Sequence, residues 1–368
     1  MRKLTLALLL LTSVSAAPPA GAQGTQADAD LAFAPYVSRS IEGYIRPATD
    51  RFEAATADLP EAIDGVCNAA DDASRDGFAR AYRDVVVAFG GISFLRFGPV
   101  IENNRLESIA FMPDPRGISQ RQIRKALAAR DTAMTSAEQL RDKSVALQGL
   151  TALQLLAFDG DGTVTLGAAG DDHDFICDYS RAIAENVHVI AANIQRDWAD
   201  PAGYSAVLTD PTPAHDHVRT HKKAIEEIFN AIATGFIVIK DQDLLPALGD
   251  SLDTSRPHRL PFARSGNAAA FIQAELDGLE QAIAVAHYDP DLPEEFTWVP
   301  GSLTFEFANA RRTLASLDTP LKASLTDPAT YEKLKLLTIT INSLRDTTAL
   351  SLAGAMNFTG GFNALDGD

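Results

Sequence analysis

The sequence lacks the short motifs that identify the best-known enzyme classes. It has no G-x-S-x-G nucleophile elbow, no phosphate-binding P-loop, no G-x-G-x-x-G dinucleotide motif and no H-E-x-x-H zinc motif. Its two cysteines do not have the C-x-x-C spacing of thiol redox centres and many zinc sites. These absences argue against the common hydrolase, nucleotide-dependent and zinc-enzyme classes.

Long apolar runs are also missing beyond the N-terminus, because no later segment approaches 18 uninterrupted apolar residues. The N-terminus itself has Arg2 and Lys3, an apolar run over residues 4–14 and a small-residue stretch that ends at Ala22. This order predicts a cleaved signal peptide over residues 1–22 and an exported, periplasmic mature chain. The alternative is a retained membrane anchor. No cysteine follows the cleavage site directly, so we expect no lipid anchor there.

Basic residues are scarce relative to acidic ones. The chain has 32 Lys and Arg against 49 Asp and Glu, which gives a formal net charge of -17. Such a surface repels nucleic acid and anionic lipid, so we expect neither as a partner. Together with the lack of long apolar runs, this predicts no integral membrane segment in the mature chain.

The two cysteines, Cys67 and Cys177, form an even pair in a chain predicted to reach an oxidising compartment. We predict a disulfide between them, which would stabilise the fold by about 4 kcal/mol in the chain-entropy model. The alternative is a pair of buried free thiols.

Strict alternation of apolar and polar residues, the pattern of a half-buried strand, is scarce. Apolar residues instead recur at steps of three and four, which places them on one face of a helix. The clearest stripes are Ile176, Ile183, Val187, Ile190, Ile194 and Trp198; Ile225, Ile228, Ile232 and Phe236; and Leu334, Leu337, Ile341 and Leu344. We predict an all-α protein whose long antiparallel helices pack as bundles.

The best candidate for a domain boundary is the segment 200–215, which is rich in proline and glycine. A chain of 368 residues is long for a single core. We therefore predict an N-terminal helical bundle over residues 23–200 and a C-terminal helical bundle over residues 201–368.

Two groups of residues resemble parts of metal sites. His217 and His221 lie four residues apart and close to His215, and Glu185 with His188 forms one E-x-x-H unit, of which a di-iron bundle needs two. A solvated helix start explains the first group more simply, and a structural histidine explains the second. Metal ligation stays an open alternative for both.

The segment from Val145 to Phe158 is apolar on nearly all sides, which predicts a central, buried helix. Thr151 and Gln154 lie three residues apart on one face of it, and buried polar groups must find hydrogen bonds. Gly149 within this helix implies a close neighbour, because glycine there costs about 1 kcal/mol relative to alanine. The pair indicates either a polar pocket or a network that ties helices together.

A series of short segments runs in a characteristic order along most of the chain. They are Arg96-Phe97-Gly98-Pro99, Arg105, Phe111-Met112-Pro113-Asp114-Pro115-Arg116-Gly117, Val145-Ala146-Leu147-Gln148-Gly149-Leu150, Leu155-Leu156, Cys177-Asp178-Tyr179, Ala182, Trp198, Arg256-Pro257, Arg264-Ser265-Gly266 and Gly360-Gly361-Phe362-Asn363-Ala364-Leu365-Asp366-Gly367-Asp368. In this order and spacing the chain resembles the imelysin-like proteins, a family named after an insulin-cleaving protease of a bacterial envelope.

The resemblance implies a two-domain, all-helical fold with a polar site between the domains, a periplasmic or outer-envelope setting, and an association with iron uptake. The family's signature is G-x-H-x-x-E, proposed as a metal-binding or peptidase site. The aligned residues here are Gly149, Thr151 and Gln154, so threonine replaces the histidine and glutamine replaces the glutamate. Neither side chain is a good transition-metal ligand or a carboxylate base, whereas both can form hydrogen bonds.

Other polar residues in the family-like segments are candidate ligand contacts beside Gly149, Thr151 and Gln154. They are Arg105, Arg264, Ser265, Asp366 and Asp368. The arginines offer paired donors to a carboxylate or phosphate, although they would serve as well to clamp loops through backbone carbonyls and nearby acids. The two aspartates belong to the family's terminal motif, which favours a tail folded onto the body over a frayed end.

We therefore predict a non-enzymatic periplasmic binding protein linked to the uptake of iron or another nutrient, with its ligand site between the two helical domains. The expected partners are a small-molecule or metal ligand, iron being one candidate, and other envelope proteins. Two alternatives stay open. One is a metallopeptidase of the imelysin type with a relocated site, and the other is a structural or interaction protein whose family site has decayed.

Overall fold

Helices account for nearly all the regular structure of the computed structural model, which describes residues 29–358. The α-helices are α1 (Ala34–Ser40), α2 (Arg46–Ala57), α3 (Leu59–Asn68), α4 (Asp72–Gly90), α5 (Arg105–Ile109), α6 (Ile118–Ala129), α7 (Ala137–Arg141), α8 (Gly149–Ala157), α9 (His173–Ala199), α10 (Tyr204–Thr209), α11 (His221–Ile237), α12 (Leu245–Leu248), α13 (Ala268–Ala286), α14 (Val299–Ala315), α15 (Leu321–Ser324), α16 (Pro328–Asp346) and α17 (Ala353–Ala355). Three π-helical segments continue them, at Ile41–Ile45, Val238–Leu244 and Thr347–Leu352.

Extended pairing within this part of the chain is limited to a single antiparallel bridge between Phe158 and Val164. The prediction of an all-α protein is confirmed. Among residues 29–358, no helix combines the length and the apolar character needed to cross a bilayer. The predicted signal peptide, residues 1–22, lies outside the described residues.

The apolar stripes predicted from the sequence face the core. On α9 the stripe from Ile183 to Trp198 is buried, and the stripes of α11 and α16 are buried along their whole length. Full burial of a Leu or Ile side chain contributes about 1.5–3 kcal/mol, so these faces supply much of the driving force for folding.

Side-chain caps fix where several helices begin. Asp71 accepts a hydrogen bond from the backbone N–H of Ser74 at the start of α4, and Asp327 accepts one from Thr330 at the start of α16. Each cap satisfies a backbone donor that has no partner within the helix and is worth about 0.5–2 kcal/mol. Pro328 at the first turn of α16 has the helical φ already fixed.

Helix α9 lies at the centre of the N-terminal half and packs against α2, α3 and α8. Helix α13 plays the same part in the C-terminal half, where it contacts α11 and α14. The two halves meet where α4 and α1 pack against α13, and α1 also packs against α11. Buried side chains form one continuous core cluster across the Pro-rich segment. A division into domains 23–200 and 201–368 stays a prediction.

The contact between α4 and α13 is unusually close because Gly90 has no side chain. A Cβ atom at Gly90 would lie 2.9 Å from the Cβ of Ala274 and 3.0 Å from the backbone oxygen of Phe271. Beside it, the rings of Phe89 and Phe271 stack with their centroids 5.9 Å apart. This packing brings the residues after α4 against the middle of α13.

The disulfide between Cys67 and Cys177 is present, as the sequence predicted. It joins the end of α3 to the first turns of α9, across a sequence separation of 110 residues and a Cα–Cα distance of 6.0 Å. A loop of this length corresponds to about 4–5 kcal/mol of stabilisation in the chain-entropy model.

The core face of α16 offers a matched pair of substitutions. Leu337 is 0% exposed, whereas its neighbour Leu336 is 54% exposed. We expect Leu337→Ala to lower the free energy of unfolding by about 2–5 kcal/mol, because it leaves a cavity, and Leu336→Ala to change it by less than about 0.5 kcal/mol. Urea unfolding of both variants measures the difference. Equal losses would show that this face of α16 is not the buried one.

Candidate functional site

A cleft of about 650 Å³ opens between segments from both halves of the chain. Three segments line it: residues 111–120, residues 151–155 on α8, and residues 241–264, with Lys322 at its margin. Residues 111–117 of the first segment form a loop, whereas the third segment mixes the π-helical Val238–Leu244, the short helix Leu245–Leu248 and connecting turns. Phe111, Leu155 and Leu260 contribute apolar surface.

Asp114 lines the cleft, but its carboxylate has a structural role at the start of α6. Its two carboxylate oxygens accept hydrogen bonds from the backbone N–H groups of Ile118 and Ser119, each at 2.8 Å. The carboxylate therefore satisfies free donors at the start of α6 and holds the 111–117 loop against that helix.

Helix α8 begins at Gly149, and the prediction of one helix from Val145 to Phe158 was wrong at both ends. Val145–Leu147 forms a separate 3-10 turn, Gln148 is extended, and Phe158 enters the bridge with Val164. The reason is a tertiary contact of Gly149, whose φ is +74°. A Cβ there would lie 2.3 Å from the backbone oxygens of Ser108 and Ile109, so the close neighbour expected from the glycine is present.

Gln148 anchors this break in the helix. Its side-chain nitrogen donates to the backbone oxygen of Lys143 at 2.7 Å, and its side-chain oxygen accepts from the amide of Asn186 at 2.9 Å. Asn186 lies on α9, so the amide pair ties the start of α8 to the central helix of the N-terminal half.

Thr151 and Gln154 both line the cleft, but they differ in their partners. The hydroxyl oxygen of Thr151 accepts a hydrogen bond from the backbone N–H of Phe111 at 3.1 Å. The side-chain oxygen of Gln154 is buried and has no hydrogen-bond partner among residues 29–358. The sequence left two interpretations of this pair open, an internal network and a polar pocket. The contact of Thr151 with Phe111 fits the internal network, and the unpartnered oxygen of Gln154 beside the cleft fits the polar pocket.

The remaining predicted contacts fall in different places. Arg264 lines the cleft while its Nε donates to the backbone oxygen of Phe158 at 2.6 Å. Next to it, the Ser265 hydroxyl donates to the backbone oxygen of Phe262. Arg105 lies outside the cleft lining and binds Asp197 at 2.7 Å and the backbone oxygen of Pro99 at 2.8 Å, the clamp that was its alternative role. Asp366 and Asp368 lie outside the described residues.

One wall of the cleft is basic. His258, Arg259, Arg264 and Lys322 all line it. Burial lowers the pKa of His258, and the neighbouring charges of Arg259, Arg256 and Lys322 lower it further. His258 is therefore neutral near pH 7, and the positive charge of this wall comes from the arginines and the lysine.

A second, smaller cavity of about 40 Å³ adjoins the cleft and shares Met112, Gln242 and Asp243 with it. Asp243 is 6% exposed, and Glu275 on α13, which also lines the cavity, is 3% exposed. The hydroxyl of Ser93 donates to one oxygen of Glu275 at 3.0 Å. We call this 40 Å³ space, which Ser93, Arg96, Asp243 and Glu275 line, the inner cavity.

Arg96 Nε is buried in the inner cavity and has no hydrogen-bond partner among residues 29–358. The carboxyls of Asp243 and Glu275 hydrogen-bond to each other, which requires that one of them holds a proton. Leaving a buried polar atom unsatisfied costs about 1–3 kcal/mol, and most such atoms in proteins are satisfied. The unsatisfied Nε therefore makes the inner cavity a candidate site for water or a ligand.

Burial also disfavours ionisation of the two acids. Burial raises the pKa of Asp243 to about 7, although the charge of Arg96 opposes the shift. Burial and then the nearby charge of Asp243 raise the pKa of Glu275 well above its ordinary value, while the hydrogen bond from Ser93 opposes this rise. Near neutral pH the pair therefore carries one negative charge or less.

Sequence reasoning missed Asp243 and Glu275, although each leaves a signal. Glu275 follows Phe271 and Ile272 at steps of four and three on the apolar face of α13, and Asp243 follows Ile239 at a step of four. An acid within an apolar stripe indicates a buried charge, and a buried charge needs a partner.

The two groups that resemble parts of metal sites in the sequence do not come together as a metal site among residues 29–358. In the part of the chain that the structure describes, no three or more His, Cys, Asp or Glu side chains converge in a way that could hold a metal ion. His188 is hydrogen-bonded to Thr56, and His221 to Asp30. At the family's signature positions, a threonine hydroxyl already engaged with Phe111 and a neutral amide do not form a donor set that suits a transition metal.

Gly149 and Gly65 form a matched pair of glycines. Gly149→Ala should lower the free energy of unfolding by more than about 1 kcal/mol, because the new methyl group meets two backbone oxygens at a positive φ. Gly65, inside α3, has nothing within 4 Å of its Cβ position, so Gly65→Ala should raise stability by about 0.5–1 kcal/mol. Chemical denaturation measures both. A neutral Gly149→Ala would contradict the close approach of α8 to residues 108 and 109.

The buried acid pair predicts a pH dependence of stability. A carboxyl whose pKa is raised by folding holds a proton that the unfolded chain releases, so its contribution to stability falls as pH rises above about 4. For Asp243 this fall continues to about pH 7, and for Glu275 it continues beyond.

Glu275→Gln removes the titrating carboxyl of Glu275 and also removes its negative charge from the neighbourhood of Asp243. Between pH 5 and pH 8, we expect the variant to lose less stability than the parent protein by more than about 1 kcal/mol, the equivalent of about one pKa unit. Glu332→Gln on exposed α16 surface is the control and should follow the parent. Denaturant unfolding at several pH values makes the comparison, and superimposable curves for Glu275→Gln would contradict the raised pKa.

Comparison with known proteins places this geometry in a family. The sequence profile named Imelysin, of a peptidase family, matches residues 44–350, and no curated protein matches the chain. An imelysin-like protein from Psychrobacter arcticum 273-4 has the same fold, with a TM-score of 0.73 and 18% identity over 90% of this chain and 98% of that one. A protein from Parabacteroides distasonis ATCC 8503 described as an iron-regulated protein A precursor has a TM-score of 0.67 and 14% identity over 92% of this chain and 98% of that one. Because the profile covers most of its length, the chain belongs to the imelysin family.

Proposed function

We propose that the protein is an exported, non-enzymatic binding protein that serves nutrient uptake at the bacterial envelope, with its ligand in the 650 Å³ cleft. The observation that carries this proposal is the buried, unpartnered oxygen of Gln154 on the cleft wall. A ligand that donates a hydrogen bond to this oxygen would satisfy it, whereas folding alone leaves it without a partner among residues 29–358.

The size and lining of the cleft suit a small molecule. Ligand clefts usually measure about 300–1,000 Å³ and combine apolar walls with a few directed polar groups. Here Phe111, Leu155 and Leu260 supply the apolar surface. Gln154 and Arg264 supply polar groups from two different lining segments, residues 151–155 and residues 241–264.

The chemistry at the signature positions favours binding over hydrolysis. A metallopeptidase needs ligands for its metal and a base that activates water. Thr151 and Gln154 are neutral at every accessible pH, and the Thr151 hydroxyl is already held by the backbone of Phe111. Hydrogen bonding is the chemistry that these two residues retain.

The link to iron rests on the family and on a relative described as iron-regulated. Because the signature positions do not suit a bare transition metal, the iron would enter as part of a small-molecule complex whose own donor atoms hold the metal. An unrelated small nutrient would use the same cleft. The signal peptide predicted over residues 1–22 and the disulfide both support an oxidising compartment outside the cytoplasm.

Isothermal titration calorimetry tests this function. The mature chain, residues 23–368, is titrated with ferric citrate, haem, free metal ions and small organic anions. We expect one class to bind and Gln154→Leu to weaken it by at least about tenfold, which is 1.4 kcal/mol. Gln281→Leu, on the exposed side of α13, is the matched control and should bind as the parent does.

Other outcomes would overturn the proposal. Binding unchanged by Gln154→Leu would place the ligand elsewhere. Chelator-sensitive cleavage of a protein substrate would support the metallopeptidase. A stability loss in Gln154→Leu without any binding by the parent would support a structural role, because removal of an unsatisfied oxygen should not by itself destabilise the fold.

A further inference from the structure

The inner cavity brings groups of opposite charge into one place. The buried Nε of Arg96 has no hydrogen-bond partner among residues 29–358. On the same cavity lie Asp243 and Glu275, whose carboxyls share a hydrogen bond in which one of them must hold the proton. A cationic donor and an acid pair thus line one small space.

The charge balance of this space selects among ligand types. Asp243 and Glu275 share a proton across their hydrogen bond, so the pair presents at most one negative charge beside the one positive charge of Arg96. A bare cation would be attracted by Asp243 but repelled by Arg96, and a bare anion would meet the reverse. A ligand that is neutral overall and carries both charges satisfies both residues.

The position of Asp243 connects the inner cavity to the cleft. It lies in the π-helical segment Val238–Leu244. Helices of this type are rare in proteins overall, and many of those that occur lie at functional sites. Asp243 lines both spaces, as do Met112 and Gln242. A ligand head group in the inner cavity would therefore extend into the cleft, toward Gln154.

We propose that the inner cavity is a head-group site for a free α-amino acid, whose carboxylate binds Arg96, whose ammonium group binds Asp243 and whose side chain lies in the cleft. This inference rests on the proposed function, since it identifies the ligand class of the same cleft. The guanidinium group matches a carboxylate with paired donors, and the ammonium group donates to the carboxylate oxygens of Asp243.

Water is the competing occupant. A cavity of 40 Å³ exceeds the 10–15 Å³ that one water molecule needs, so water would fit and would satisfy the same atoms. The two cases differ in one respect. A water-filled cavity gives no preference for ligands that carry both charges, whereas a head-group site requires both.

Calorimetry on the mature chain at pH 7.5 separates these cases. The ligands are L-leucine, L-glutamine, L-glutamate and L-arginine, with two analogues of leucine that each lack one charge: 3-methylbutylamine and 4-methylpentanoate. We expect at least one amino acid to bind, and an analogue that lacks either charge to bind at least about tenfold more weakly. This comparison uses the parent protein, so it does not depend on how any variant folds.

Variants then locate the site. Asp243→Asn and Arg96→Gln should each weaken amino-acid binding by at least about tenfold, because each leaves one ligand charge buried without its partner. Glu332→Gln on the surface of α16 is the control, and circular dichroism checks that every variant is folded. Unchanged affinity in folded Asp243→Asn and Arg96→Gln would overturn the inference.

The remaining outcomes distinguish this inference from the proposed function. If ferric citrate, haem or an organic anion binds in a Gln154-dependent manner and no amino acid does, the head-group site is wrong and the binding function stands. If a metal ion alone binds and Asp243→Asn abolishes it, the cavity is a cation site instead. If nothing in either panel binds, both proposals fail.

Discussion

The contact between α4 and α13 is the interaction on which the arrangement of the candidate site depends. Gly90 allows the two helices to approach until a side chain at that position would touch Ala274 and the backbone of Phe271. The approach places Ser93, just beyond α4, within 3.0 Å of Glu275. Residues far apart in sequence thereby enclose the inner cavity, and the carboxyl of Glu275 becomes buried away from solvent.

Much of the fold was predictable because its signals are local. Stripes such as Leu334, Leu337 and Ile341 repeat at the period of a helix, and that period depends on neighbours a few residues away. The disulfide was predictable for a different reason, since two cysteines allow a single intrachain pairing and the predicted signal peptide favoured an oxidising compartment. The resemblance to the imelysin family came from ordered segments and was confirmed by the family profile over residues 44–350.

The site was predictable only where local spacing carried it. Thr151 and Gln154 were placed on one face by their separation of three residues, and both line the cleft. The start of α8 was misjudged because the backbone oxygens that force Gly149 to a positive φ belong to residues 108 and 109. The partner of Arg105 is Asp197, 92 residues away, and the pairing of Asp243 with Glu275 also exists only in three dimensions.

The disulfide has a topological effect that is separate from its contribution to stability. Cys67 and Cys177 close a covalent ring that contains α4, the 111–120 loop and α8, and the ring therefore holds two of the three segments that line the cleft. A protease that cuts one exposed bond inside this ring releases no fragment, because both new ends stay attached through sulfur. After a single cut within this ring, the segments that line the cleft stay part of one covalent molecule.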